Sequence, residues 1–139
     1  MATVTADRAA SGIPPRVQEK GVWTEVSTYE CSTTAADTVI QMMKVAAGTT
    51  VLDGYIIYDD LGTGLTADVG DGDDVDRYID GANTATAALL TRFALGAGGL
   101  TFPYTYTADD TIDIKNLGGN ATGTITLVVF FTREEVDLT

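Results

Sequence analysis

"NATGTITLVVFFTRE", residues 120–134, holds the run that decides the fold. From Ile125 to Phe131 it is built of β-branched, leucine and phenylalanine side chains, bounded by glycine on one side and charge on the other. Such a run is too short for a core helix and suits a central strand buried on both faces. Left exposed, the same run would aggregate, so the chain must supply neighbours for it.

Working outward, the rest of the chain supplies strands. In "GVWTEVSTYEC", Val22, Thr24, Val26 and Thr28 alternate with Trp23, Glu25, Ser27 and Tyr29, the period of a half-exposed strand. "TVIQMMKVAAG" tolerates a helix, but Gly48, Thr49 and Thr50 stop it and lead directly into the β-rich "VLDGYIIYDDLG"; the two read as a hairpin. Leu65 to Val69 is a short strand, "TFPYTYTADDTIDI" carries another after an Asp-Asp turn, and "ANTATAALL" allows one or two helical turns that "GAGG" would end.

Composition agrees. The chain has 139 residues, enough for one domain with a substantial core, and fifteen of its twenty acids are aspartate, the acid of turns and caps. The expected class is all-β, an antiparallel β-sandwich or jelly roll of about seven or eight strands. Residues 1–20, with "IPP" and no periodic apolar pattern, read as an extended N-terminal arm that reaches about 60–70 Å at full stretch. The sandwich is expected over 21–134 and a short tail over 135–139.

Charge removes whole classes of function. Eight basic against twenty acidic residues give −12, which repels nucleic acid and anionic membranes. No apolar stretch has the length of a membrane span and the N-terminus lacks the apolar centre of a secretory signal, so the protein is expected to be made and kept in a cytoplasm. There is no histidine, and the single Cys31 has no partner for a disulfide or a zinc site and no base to activate it. Asp59 with Asp60, and Asp109 with Asp110, have the residue type of a glycosidase pair, but adjacent aspartates on a strand point to opposite faces, and both pairs read better as turns.

"VGDGDDVDRYIDG", residues 69–81, is the densest acidic motif. Counted from Asp71, it fails the EF-hand pattern: Val75 stands fifth, Asp76 takes the place of the glycine, and Ala82 stands twelfth. A different calcium site on Asp71, Asp73, Asp74 and Asp76 stays open as an alternative to a solvated turn partly neutralised by Arg77. No other cofactor is expected. Tyr55, Tyr58, Tyr78, Tyr104 and Tyr106, with Trp23 and Phe102, offer either a sugar-binding face or strand packing and subunit contacts.

As a set, "DTVIQMMKVAAGTTVLDGYIIYDDLGTG", "LTADVGDGDDVDRYIDG", "YTYTADDTIDI" and "TGTITLVVFFTRE" resemble the small head decoration or cement proteins of tailed bacteriophages. That resemblance implies a non-enzymatic sandwich protein on the outer capsid surface, often a homotrimer, which binds the major capsid protein and reinforces the joints between its subunits. The residues expected to touch a partner are Ile13, Pro14, Pro15 and Arg16 of the arm, together with Trp23, Arg77 and Tyr78. A neck, tail or head-fibre base protein, or a calcium- or carbohydrate-binding adhesion module, is the alternative.

Overall fold

The computed structural model describes residues 2–10, 21–86, 89–94 and 103–133. It is nearly all β, with ten strands and a single turn of helix: β1 (Thr3–Thr5), α1 (Asp7–Ala10), β2 (Val22–Thr34), β3 (Val39–Val45), β4 (Thr49–Tyr58), β5 (Thr66–Gly70), β6 (Ile79–Asn83), β7 (Leu89–Arg92), β8 (Tyr104–Thr105), β9 (Asp110–Leu117) and β10 (Ala121–Arg133). One sheet has the order β1-β3-β9-β5-β6; the other has the order β2-β10-β4-β7, with β8 also pairing β4. All pairings are antiparallel except β1 with β3. The all-β sandwich read from the sequence is the observed architecture, with more strands than the seven or eight expected.

The opening run is the centre of the second sheet. β10 is hydrogen-bonded to β2 along one edge and to β4 along the other. Ile125, Leu127, Val129 and Phe131 point into the core and are fully buried, with Phe131 stacked on Trp23 at 5.7 Å between ring centres. On the opposite face Val128 is buried and Thr126 and Phe130 are half-buried, so that side of the strand is covered less completely than the core side.

The expected hairpin of β3 and β4 is corrected. β3 belongs with β1 and β9, β4 with β10, and the turn between them carries the chain across the core from one sheet to the other. Its backbone is satisfied from outside the turn: Ala47 N–H donates to Asp109 Oδ1 at 2.9 Å and Gly48 N–H to the Tyr106 carbonyl at 2.7 Å, while Gly48 takes a positive φ of 87°. Both strands carry inward residues, Ile40, Met42, Met43 and Val45 on one and Val51, Ile56 and Tyr58 on the other. A register shift between Gln41 and Met43 lets the two adjacent methionines turn inward together.

Of residues 1–20, read as an arm, the described part runs along the domain. Thr3–Thr5 adds a parallel edge strand to β3, and Ala6 and Ala9 are buried against the domain, because a three-residue β segment and small residues can fill an open sheet edge without any apolar period. Residues 11–20, with Ile13, Pro14, Pro15 and Arg16, and residues 134–139 lie outside the described residues. Where one or two helical turns were expected near residue 88, Leu89–Arg92 forms a strand beside β4.

Replacing Phe131 with alanine removes a fully buried ring and its stacking partner's contact; a loss of about 3–5 kcal/mol is expected, read as a lower urea midpoint with an unchanged slope.

Candidate functional site

The acidic loop between β5 and β6 folds around one carboxylate. Gly70 begins it, and no other residue fits there: a Cβ would lie 2.1 Å from the Asp74 carbonyl oxygen, because the loop returns onto its own backbone. The Asp71 N–H donates to that same carbonyl at 2.8 Å. Asp71 Oδ1 then accepts the N–H groups of Asp73 at 3.1 Å and Asp74 at 2.9 Å, the self-bonding of an aspartate turn. Its Oδ2 accepts Arg77 Nε at 2.6 Å and the Tyr106 hydroxyl at 2.9 Å. Since Tyr106 donates to Asp71, the Tyr78 hydroxyl, 2.8 Å away, donates to Tyr106.

Asp71 is therefore buried rather than solvated, and the loop is tied through Tyr106 to the segment between β8 and β9. Arg77 lies with its guanidinium 3.8 Å from the centre of the Tyr104 ring, and Tyr104 meets Tyr106 edge-on at 4.9 Å. Burial pulls the Arg77 guanidinium toward its neutral form, but the Asp71 carboxylate outweighs that and holds it more firmly charged than a free arginine. Burial likewise drives the Tyr78 and Tyr106 hydroxyls well above the usual tyrosine range, so both stay protonated as donors.

The residues expected to touch a partner are placed as follows. Tyr78 is wholly buried and stacks on Phe93 at 4.7 Å; Trp23 is buried against Phe131. Neither ring faces outward, because each fills the space between the sheets. The Trp23 indole N–H has no hydrogen-bond acceptor among the described residues. Arg77 is committed to Asp71 and Tyr104 and is 11% exposed. The tyrosines do not make a sugar face either: Tyr58, Tyr78 and Tyr106 are buried, Tyr55 stands on the far side of the second sheet, and Phe102 lies outside the described residues.

Of the four candidate metal ligands, only Asp76 joins a cluster. Its carboxylate, with those of Asp68 and Asp80, forms a group whose oxygens lie within 4.8 Å of one another. These are hard oxygen donors of the kind calcium takes. Asp71 is turned inward to Arg77, and Asp73 is exposed on the other side. The Asp76 carboxyl is pushed up by its hydrogen bond to Asp74, and Asp68 by burial, only partly relieved by the Gly81 N–H. Asp68 and Asp80 were missed as ligands in the sequence because Asp68 stands just before the motif on β5 and Asp80 near its end on β6, each one residue from a position that faces the core.

A cleft of about 270 Å³ opens beside the loop, lined among others by Asp73, Asp109, Asp110, Tyr104 and Tyr106. Its aspartates serve the backbone: Asp110 accepts from the Gly72 and Thr111 N–H groups and Asp109 from Ala47. Asp59 and Asp60 do the same for Thr124 and Gly62, so the paired aspartates read as turn residues act as caps.

One buried acid lies apart from these. Asp113, in the middle of β9, has a carboxyl pushed from the usual 3.8 up to about 7 by burial, against the help of the Thr111 hydroxyl and with the charges of Asp110 and Asp71 adding to it. A raised carboxyl favours the folded state below its unfolded value and loses that contribution as pH rises through its folded value. Relative to Asp113→Asn, the wild-type protein is thus expected to lose stability between about pH 4 and 7, by at most about 4 kcal/mol, and to run parallel to the variant above that window. Urea midpoints of both proteins across pH 4–8 measure it.

Asp71→Asn leaves Arg77 without its counter-charge in a nearly buried position. A loss of about 3 kcal/mol is expected, against about 1 kcal/mol for Tyr106→Phe, both from denaturant unfolding.

No family model matches the chain, and no curated protein does. Solved structures do share its fold. A chain in the capsid of Ralstonia phage GP4 superposes with a TM-score of 0.76 at 19% identity, over 97% of this chain and 100% of that one. A chain of the cyanophage Pam1 capsid asymmetric unit gives 0.67 at 19% identity, over 86% and 90%. A chain from the acidic stable capsid structure of Helicobacter pylori bacteriophage KHP30 gives 0.62 at 13% identity, over 82% and 89%. The sandwich described above is therefore a fold that occurs in the capsid structures of three bacteriophages.

Proposed function

We propose that this chain is a non-enzymatic structural protein of a tailed-bacteriophage virion, of the head decoration or cement type, bound to the outer surface of the shell where it bridges major capsid subunits, and trimeric in that position. The observation that carries the reading is the end-to-end match with a chain of a phage capsid, which spans 97% of this chain and all of the other. A correspondence of whole chains supports a shared role better than a common module would.

The site is in keeping with it. The loop carboxylates cap backbone N–H groups or pair with Arg77, leaving the acidic loops stiff and their outward aspartates, such as Asp73, fixed in place. A stiff, charged, precisely shaped loop suits recognition of a basic partner surface more than turnover of a substrate. A bridging protein opposes outward load on a shell by adding buried area across a joint, and an oligomer multiplies each weak contact through its effective concentration. The charge of −12 keeps unbound copies apart.

Cryo-microscopy of particles containing this chain tests the placement. Density for the sandwich is expected on the outside of the shell, over joints between capsid subunits; density confined to neck or tail, or none, overturns the reading. Shells stripped of the protein are expected to melt at a temperature several degrees lower and to recover it when purified protein is added back, as followed by calorimetry.

A further inference from the structure

The register of the second sheet defines an outer face that no other described strand covers. Across its four strands, Val26, Val128, Tyr55 and Arg92 stand in one row, Thr28, Thr126, Ile57 and Leu90 in the next, and Thr24, Phe130 and Asp53 in the row before. All of these alternate with the core residues and project from the opposite side of the sheet. Four of the six large apolar side chains exposed among the described residues, Val22, Val26, Ile57 and Leu90, lie on this face; Val26 is 53% and Leu90 55% exposed. Tyr55 and Phe130, with ring centres 6.2 Å apart, fill the middle.

Within those three rows the charges are Asp53 and Arg92, which pair with each other. Beyond them Glu30, held by the Thr124 hydroxyl, stands at the end of the face, which therefore carries little of the chain's net charge of −12. Two copies approaching through their aspartate loops repel; approaching through this sheet they do not. Its extent is also sufficient. From Val22 to Glu30, at about 3.4 Å per residue, and across four strands about 4.8 Å apart, it presents a footprint of about 500 Å² per copy, so a contact between two copies reaches the roughly 1,000 Å² expected of a specific interface. Threonine and valine side chains on a flat sheet pack well against another sheet about 10 Å away.

We propose that copies of this chain associate through the outer face of the β2-β10-β4-β7 sheet. The half-buried side of β10, whose sequence reads as covered on both faces, is then closed by a second copy. The acidic loops stay clear of the contact and remain available to a partner of opposite charge. A contact of this face with itself is two-fold and pairs copies, apart from the trimer of the proposed function; it is measured on the isolated chain, so its failure and a failure of shell binding are told apart.

Sedimentation equilibrium up to about 100 µM decides it. The wild-type protein is expected above the monomer mass of 14.6 kDa, and Val26→Glu with Leu90→Glu at that mass, with an unchanged circular-dichroism spectrum. Val75→Glu, at an exposed valine of the acidic loop, is expected to associate like wild type. If the paired glutamates unfold the sheet, Val26→Thr with Leu90→Thr replaces them, with association expected to weaken at least about tenfold. A wild-type protein that stays at 14.6 kDa, a folded double variant that associates undiminished, or Val75→Glu dissociating as fully as the double variant, overturns the proposal.

Discussion

Two-sided pairing of β10 is the constraint on which the other elements depend. β2 and β4 are far apart in sequence from the strand that joins them, and neither has the other as a neighbour. Only when residues 121–133 lie between them does the second sheet exist, and only then do Trp23 and Phe131 meet. Most consecutive strands lie in different sheets; β5 pairs directly with β6, and β7 and β8 both lie against β4. A fold assembled from such distant pairings forms late and cooperatively, after much loop-closure entropy has been overcome.

The second tie is the Asp71 carboxylate. It holds a loop of the first sheet, through Tyr106, to the segment that follows β8 of the second. Backbone N–H groups, a guanidinium and a hydroxyl converge on two oxygens, which makes the burial of a charge tolerable. The same set explains why so acidic a motif is ordered: its central charge is neutralised internally while its flanking charges are held outward.

How much of this could be read in advance follows from what a period-2 pattern contains. The pattern in 22–29 and the run at 125–131 report which side chains are apolar and how they alternate, so the all-β class and the central place of β10 were legible. Alternation does not say which sheet a strand joins, and so β3 and β4, adjacent in sequence and separated by a glycine turn, looked like a hairpin. Nor does composition tell an inward aspartate from a solvated one. The difference at Asp71 is made by Tyr106, thirty-five residues away, and by the fold of the loop that brings Arg77 back. Trp23 and Tyr78 looked like contact residues because aromatic side chains serve interfaces and cores equally well; the packing of each against Phe131 or Phe93 in the core is made by distant residues. The TVT of residues 3–5 is too short to announce a strand without the open edge of β3 beside it.

Asp113 gives the molecule a property its composition would not suggest. A chain without histidine has no side chain whose ordinary titration falls near neutrality, and in the unfolded state this one takes up and releases protons mainly at the acid and alkaline extremes. Folding creates a neutral-range proton site by burying a single carboxyl on β9, on the side opposite Ile112 and Ile114, beside other carboxylates. Formation of the domain at neutral pH is accordingly accompanied by partial proton uptake at a position that solvent scarcely reaches, so the solution's buffering is coupled to folding.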